Sequence, residues 1–357
     1  MVQDFPLPCF ARWIQKLHSI GLLTGSFLPD ETTEKLRTYC LQRQNMLDLS
    51  AEASHKMQKY LKILNFRLDV VLNDICGLTG MAIIKDICKG NLDPEKLSDR
   101  RHGNCRKSKE EIAKALKGNN REDYLYGLKQ ELESYEFYQK KIAECDKHIT
   151  AFLKNQINTD PEKKQLKTTE KKHKRINKNA IKGIDLNQAS YQYFGGVDFM
   201  SIEGMSHATI LSIISEIGPE GFYKFETAKH FTSWLRLAPN NKISGGKLIS
   251  SKTPKGSNRL KIALRNAANA IGNLKDTHLS NFFNRVAYRK GRTVAVSATA
   301  RKLAVILWNM VVKKLPYKPP TDYLFLDEKR KLKIVARVKK QIAKFDLTKE
   351  DFGFVNA

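Results

Sequence analysis

The residues best suited to chemistry lie in one short stretch, residues 240–259, where hydroxyls, glycines and bases interleave. Gly245 and Gly246 have no side chains, so a phosphate can come close to the backbone there. Lys242, Lys247, Lys252, Lys255 and Arg259 can balance its charge. Ser244, Ser250 and Ser251 offer hydroxyls. A serine in such a setting is either a plain phosphate ligand or, once a base or metal activates it, a nucleophile toward a phosphodiester. Spacing alone favours the first. The stretch is not a Walker loop, because the Gly-x-x-x-x-Gly-Lys-Ser/Thr pattern is absent from it. A second candidate precedes it in residues 199–218, whose pattern suggests a helix-hairpin-helix. In that motif a tight glycine turn presents backbone N–H groups to a phosphate. Gly204 supplies the first glycine and Ser206 a hydroxyl, but the usual second glycine is missing because Met205 and Ser206 follow.

These residues sit in the most basic part of the chain. The 357 residues hold 63 Lys+Arg against 37 Asp+Glu, a net charge of +26. Residues 227–321 alone contain 19 bases and one acid, Asp276, and so carry +18. The tail from 322 to 357 adds +3, leaving only +5 for the first 226 residues. A folded module almost free of carboxylates repels itself unless a polyanion neutralises it, which makes nucleic acid the expected partner.

Other classes are less favoured. The six cysteines, at 9, 40, 76, 88, 105 and 145, show no Cys-x-x-Cys spacing, so neither a zinc site nor a redox pair is signalled. Reduced, packed cysteines in a cytoplasmic protein are expected. Neither a secretory signal nor an apolar run of membrane-spanning length is evident, so a membrane is not an expected partner.

The elements that must position the basic module read as mainly helical. Trp13, Ile14, Leu17 and Ile20 share a helical face, which Gly21 and Gly25 end before Pro29 starts the next element. A long helix is expected over 31–65 and the longest over 121–154. In the latter the apolar steps of 3 and 4 are interrupted by an extra 3-step between Tyr135 and Tyr138, a stammer. Such a seam suits either an intramolecular helical hairpin or a second copy of the chain. Ser108 and Glu111 form a capping box. Lys163, Lys164, Lys171, Lys172, Lys174 and Arg175 mark a basic linker. Beyond it, helices are expected near 258–274, 277–290 and 293–315, with a Gly/Ser/Lys-rich loop over 240–259.

At this point a resemblance becomes specific. The run HFTSWLRLAPNNKISGGKLISSKTPKGSNR, preceded by SIEGMSHATILSIISEIG and followed by SATARKLAVILWNM, resembles the C-terminal domain of the insertion-sequence transposase family called "IS one-ten". Upstream, ARWIQKLHSIGLLTGSFLPDE, DPEKL, EEIAKALKGN and YEFYQKKIAECDKHI resemble the middle region of the same family. The similarity is collinear over about residues 11–315. It implies a DEDD-type transposase guided by a bridge RNA, with Mg²⁺ held by acids of an N-terminal RNase H-like domain. It also implies a C-terminal serine that attacks DNA and becomes covalently linked to it; by motif that serine is Ser244. The family's Asp-x-x-Asp before the Ala-x-Trp-Ile run is matched here by Leu7 and Phe10, with Asp4 out of register. The resemblance therefore implies a chain in which the RNase H-like α/β domain is mostly missing and which holds no cofactor of its own.

The expected organisation is a mainly α protein. Residues 1–30 are a remnant of the catalytic domain and 31–155 a helical, coiled-coil region. Residues 156–183 are a basic linker, 184–320 the C-terminal transposase domain, and 321–357 a charged tail. DNA, a structured guide RNA and further copies of the chain, joined through the coiled coil, are the expected partners. The competing expectations are a non-catalytic regulator derived from a transposase, and an enzyme that borrows its metal domain from another chain.

Overall fold

Two long helices set the architecture, and both grow from the 3.6-residue spacing of their apolar positions. A computed structural model of the protein describes residues 7–23, 27–167, 179–319 and 324–345. In chain order the first helices are α1 (Leu7–Ser19), α2 (Glu31–Ile63), α3 (Leu68–Val71), α4 (Leu78–Cys88), α5 (Pro94–Ser98), α6 (Lys109–Ala115) and α7 (Glu122–Asn158). The chain continues through α8 (Pro161–Gln165), α9 (Leu186–Tyr193), α10 (His207–Glu216), α11 (Gly218–Tyr223) and α12 (Ala228–Trp234). The C-terminal half adds α13 (Arg259–Ile271), α14 (His278–Lys290), α15 (Arg292–Val312) and α16 (Leu324–Phe345). The chain is mainly α, as its sequence implies; the described residues hold one small antiparallel sheet, β1 (Lys242–Ser244) with β2 (Lys247–Ser250).

The caps are local and legible. Asp30 starts α2 by accepting from the Thr33 N–H at 3.0 Å. Ser108 and Glu111 make the capping box at α6, each side chain accepting from the other's backbone N–H.

Helices α2 and α7 lie antiparallel against each other within the one chain. Tyr60 meets Tyr124, Lys56 meets Glu131, Gln139 donates to Ser50 and Arg43 pairs with Asp146, so position rises on one helix as it falls on the other. The seam divides into three parts. At the tip, Met57, Leu61 and Leu64 join Leu128, Leu132 and Tyr135 in a core completed by Phe66, Ile83 and Leu97. At the opposite end, Leu36, Ile149 and Leu153 belong to the core of the C-terminal helices. Between these cores the seam is polar. Arg43 Nε donates to Asp146 at 2.5 Å with both side chains buried, and Arg43 Nη2 donates to the Asn179 carbonyl at 2.7 Å. The Lys182 N–H in turn donates to Asp146 at 3.3 Å. The residues returning from the basic linker are thus fastened to the middle of the helix pair. Of that linker, Lys171, Lys172, Lys174 and Arg175 lie outside the described residues, as does Gly25.

The C-terminal core is built around α15. Leu303, Ala304, Leu307 and Val311 are buried with Ile210, Ile213 and Ile214 of α10, Phe231 of α12 and Leu260 and Leu264 of α13. Small residues let these helices approach closely: Ala267, Ala268, Ala300 and Ala304 are all buried. Against the expectation of no apolar run of membrane-spanning length, α15 is long and apolar enough by length and composition. Its charged Arg301 and Lys302 break the run, and half of its apolar window is buried inside the protein. Cys40, Cys88, Cys105 and Cys145 are free thiols. Burial pushes the Cys40 thiol up to about 12, far from its reactive form.

Candidate nucleic-acid interface

Residues 242–250 form a hairpin rather than the open loop expected from their composition. Gly245 and Gly246, at φ +55° and +73°, occupy a two-residue turn that needs positive φ at both positions. Ser244 is opposite Lys247 and Ile243 opposite Leu248, with an irregularity before Ile243. Alternation along a strand places Lys242 and Ser244 on one face and Ile243 on the other. The hairpin stands clear of the core: every residue from 241 to 249 is exposed. Ile243 and Leu248 are 65% and 57% exposed, so the apolar face is open as well. No backbone or side chain lies within 4 Å of a Cβ built at Gly245 or Gly246. A phosphate can therefore reach the turn, the Ser244 hydroxyl and the Lys242 and Lys247 ammonium groups together.

The segment after the hairpin is held by cations that touch carbonyls. The Asn240 N–H donates to the Lys252 carbonyl at 3.0 Å and closes the hairpin base. Arg236 donates to the Lys255 carbonyl, and a Cβ at Gly256 would collide with the Arg236 guanidinium. Lys261 donates to the carbonyls of Pro254 and Gly256 at 3.3 and 3.4 Å. Burial lowers the Lys261 pKa, and repulsion from Arg265 and Arg236 lowers it further. Asn258 caps α13 by accepting from the Lys261 N–H at 3.1 Å. Lys252, Lys255 and Arg259 are exposed beside this frame.

The other predicted residues lie elsewhere. Gly204, at φ +75°, is in the turn before α10, and Ser206 caps that helix by accepting from the Thr209 N–H at 3.2 Å. A Cβ on Gly204 would come within 2.4 Å of Ile271 Cγ1 and 3.0 Å of the Ala267 carbonyl. That glycine thus serves close packing on the C-terminal half of α13, whereas the hairpin leads into its N-terminus. The structure gathers Lys242, Ser244, Gly245, Gly246, Lys247 and Lys252 on one finger and leaves Gly204 and Ser206 at the other end of α13.

One feature near the finger has no sequence signal. Glu216, at the end of α10, is buried and 3.4 Å from Arg37 of α2. Burial raises its pKa, while Arg37 and Arg259 oppose the rise. This acid thus ties α2 to α10 and feels the charge of Arg259.

Residues 198–284 match the model of the Transposase IS116/IS110/IS902 family. The match runs from the turn at Gly204 through the hairpin and into α14, so Ser244 and its lysines lie inside it. That segment is similar to this insertion-sequence transposase family. No curated protein matches the chain. Among the described residues no three His, Cys, Asp or Glu side chains converge to hold an ion.

Proposed function

We propose that this chain acts in DNA transposition by binding DNA, together with a structured guide RNA, and presenting Ser244 to a DNA phosphodiester. The observation that supports the reading is the placement of Ser244 beside an open Gly-Gly turn, across from Lys247, on an exposed finger inside the matched segment. The lysines hold the phosphate and the small turn lets it approach. In the reaction the Ser244 oxygen bonds to phosphorus, one ester bond to a deoxyribose oxygen breaks, and that oxygen leaves with a proton. The serine proton passes to a base, because an unassisted hydroxyl is a weak nucleophile. With Leu7 and Phe10 in place of acids, these residues serve binding and attack without their own metal site. Copies of the chain associate through the helical region. The second reading, a non-catalytic regulator that occupies the same DNA, rests on the same two substitutions.

The test supplies a family-type metal domain ahead of residue 11 and looks for a covalent protein–DNA adduct on a denaturing gel. The adduct is expected to form, to vanish in Ser244→Ala, and to persist in Ser250→Ala and Ser251→Ala. DNA affinity should barely change in Ser244→Ala, because one neutral hydrogen bond contributes only about 0.5–1.5 kcal/mol. An adduct that survives Ser244→Ala removes the serine from this role. A graft that binds DNA but never forms an adduct favours the regulator. DNA cleavage by the unmodified chain overturns the metal argument.

A further inference from the structure

Helices α13 and α15 line an open cleft of about 430 Å³. Its polar walls are Arg265, Asn266 and Asn269 from α13 and Arg292 and Thr293 from α15. Ile262, 48% exposed, makes an apolar patch at its edge. No carboxylate lines it. One wall is already fixed in place: Arg292 donates to the Asn269 side-chain oxygen at 2.7 Å and to Asn273 at 3.0 Å, and its guanidinium rests 5.4 Å from the Phe283 ring. Because Asn269 accepts from Arg292 through its oxygen, its amide N–H groups remain as donors. The cleft thus combines two guanidiniums for an anion, two amides for a hydrogen-bonding edge and an apolar surface for a flat ring.

From this lining we infer that the cleft takes a single unpaired nucleotide of a bound nucleic acid. The inference rests on the nucleic-acid binding proposed above but concerns a different surface from the hairpin. Size decides the form of the ligand. Small-molecule pockets run from about 300 to 1,000 Å³, so a cleft of about 430 Å³ has room for one nucleotide and none for a duplex. The guanidiniums of Arg265 and Arg292 take its phosphate, for which arginine's planar fork is suited. The Asn266 and Asn269 amides meet the edge of the base, and Ile262 lies against its face. Reading an unpaired base by edge and face needs the base out of a stack, which only a single-stranded segment or an unpaired end provides. The hairpin and the cleft then divide the work: the first meets duplex backbone through lysines, the second selects an unstacked base.

The test measures the full-length chain by fluorescence anisotropy on a blunt DNA duplex and on the same duplex with a short unpaired overhang, made in turn of DNA and of RNA. A 2-aminopurine in the overhang reports stacking of the unpaired base. The wild type should favour the overhang about five- to tenfold, the scale of one good base contact, and should change the 2-aminopurine signal. Asn266→Asp and Ile262→Glu, both at exposed positions, should remove that preference and that signal while leaving blunt-duplex binding within about twofold. Equal binding of blunt and overhang probes by the wild type overturns the inference alone. Loss of both probes equally in the variants also overturns it. Failure to bind either probe overturns it together with the reading it rests on. A preference confined to the RNA or the DNA overhang supports the inference and tells which strand occupies the cleft.

Discussion

The two ends of the α2–α7 pair handle charge in opposite ways. Toward the tip, bases sit beside acids: Lys56 with Glu52 and Glu131, Lys85 with Glu136, Arg100 with Asp86, Lys107 with Glu111. In the basic module carboxylates are scarce, Asp276 being the sole acid between 227 and 321. The cations there rest on rings and carbonyls instead. Lys302 lies 4.7 Å from the Phe282 ring, Lys313 lies 5.6 Å from Trp308, and Arg236 and Lys261 donate to backbone oxygens. Such contacts orient a cation without cancelling its charge. The tip offsets much of its charge within the chain, whereas the module has few carboxylates to offset its positive field.

The largest effect is expected where the two regimes meet. Arg43 and Asp146 are both buried, and each also holds the backbone that returns from the linker. Arg43→Met should cost about 3–5 kcal/mol, because it strands a buried carboxylate. Arg43→Met combined with Asp146→Leu should recover most of that loss in chemical denaturation. A double variant as unstable as the single one would mean that the hydrogen bonds to Asn179 and Lys182, not the charge balance, hold the seam.

Next comes the direct contrast of lysines. Replacing Lys242, Lys247 and Lys252 with glutamate should weaken DNA binding about a hundredfold at moderate salt and flatten the log–log salt slope by roughly 2.7, since each neutralised phosphate contributes about −0.9. The same change at Lys56, Lys85 and Lys107, which already face acids, should move affinity less than about threefold by the same measure. Similar losses in the two triples would erase the distinction between the regions.

The smallest effect concerns Glu216, the buried acid at the end of α10. Its folded pKa is raised above its ordinary value, so the folded state holds the proton at pH values where the unfolded chain has released it. Stability is then greatest at low pH and falls as pH rises from the ordinary glutamate range through the raised value. Glu216→Gln should flatten that fall in thermal melts taken from pH 4 to 7. A profile unchanged by the substitution would mean that Arg37 and Arg259 fully offset the burial.

The long helices were legible because periodicity is a local signal, and α2 and α7 fall close to their expected bounds. That they pair with each other within one chain was not, since the spacing suits a second copy equally well. The finger is a hairpin where its Gly, Ser and Lys content suggests a loop; the cue is a Gly-Gly pair between two short strand-like runs, the signature of a two-residue turn. Gly204 packs against Ile271, 67 residues further on, and no local pattern announces that contact. The α13–α15 cleft escaped for the same reason. Asn266 and Asn269 share a helix face, but Arg292 reaches them only through the crossing of two helices. The pairing of Arg43 with Asp146, 103 positions apart, likewise left no trace in the sequence.

The antiparallel helix pair also sets a length. Leu36 belongs to one core and Leu61 to the other, 25 positions apart on the same helix. At about 1.5 Å per residue that is a span of about 38 Å. A rod of this kind works as a ruler: it holds the tip core at a fixed remove from the core of the C-terminal helices. Adding two turns to both helices between the cores would lengthen the ruler by about 11 Å and leave each core's own contacts intact. The distance between the two cores is written in the length of α2 and α7, separately from the residues that build either core.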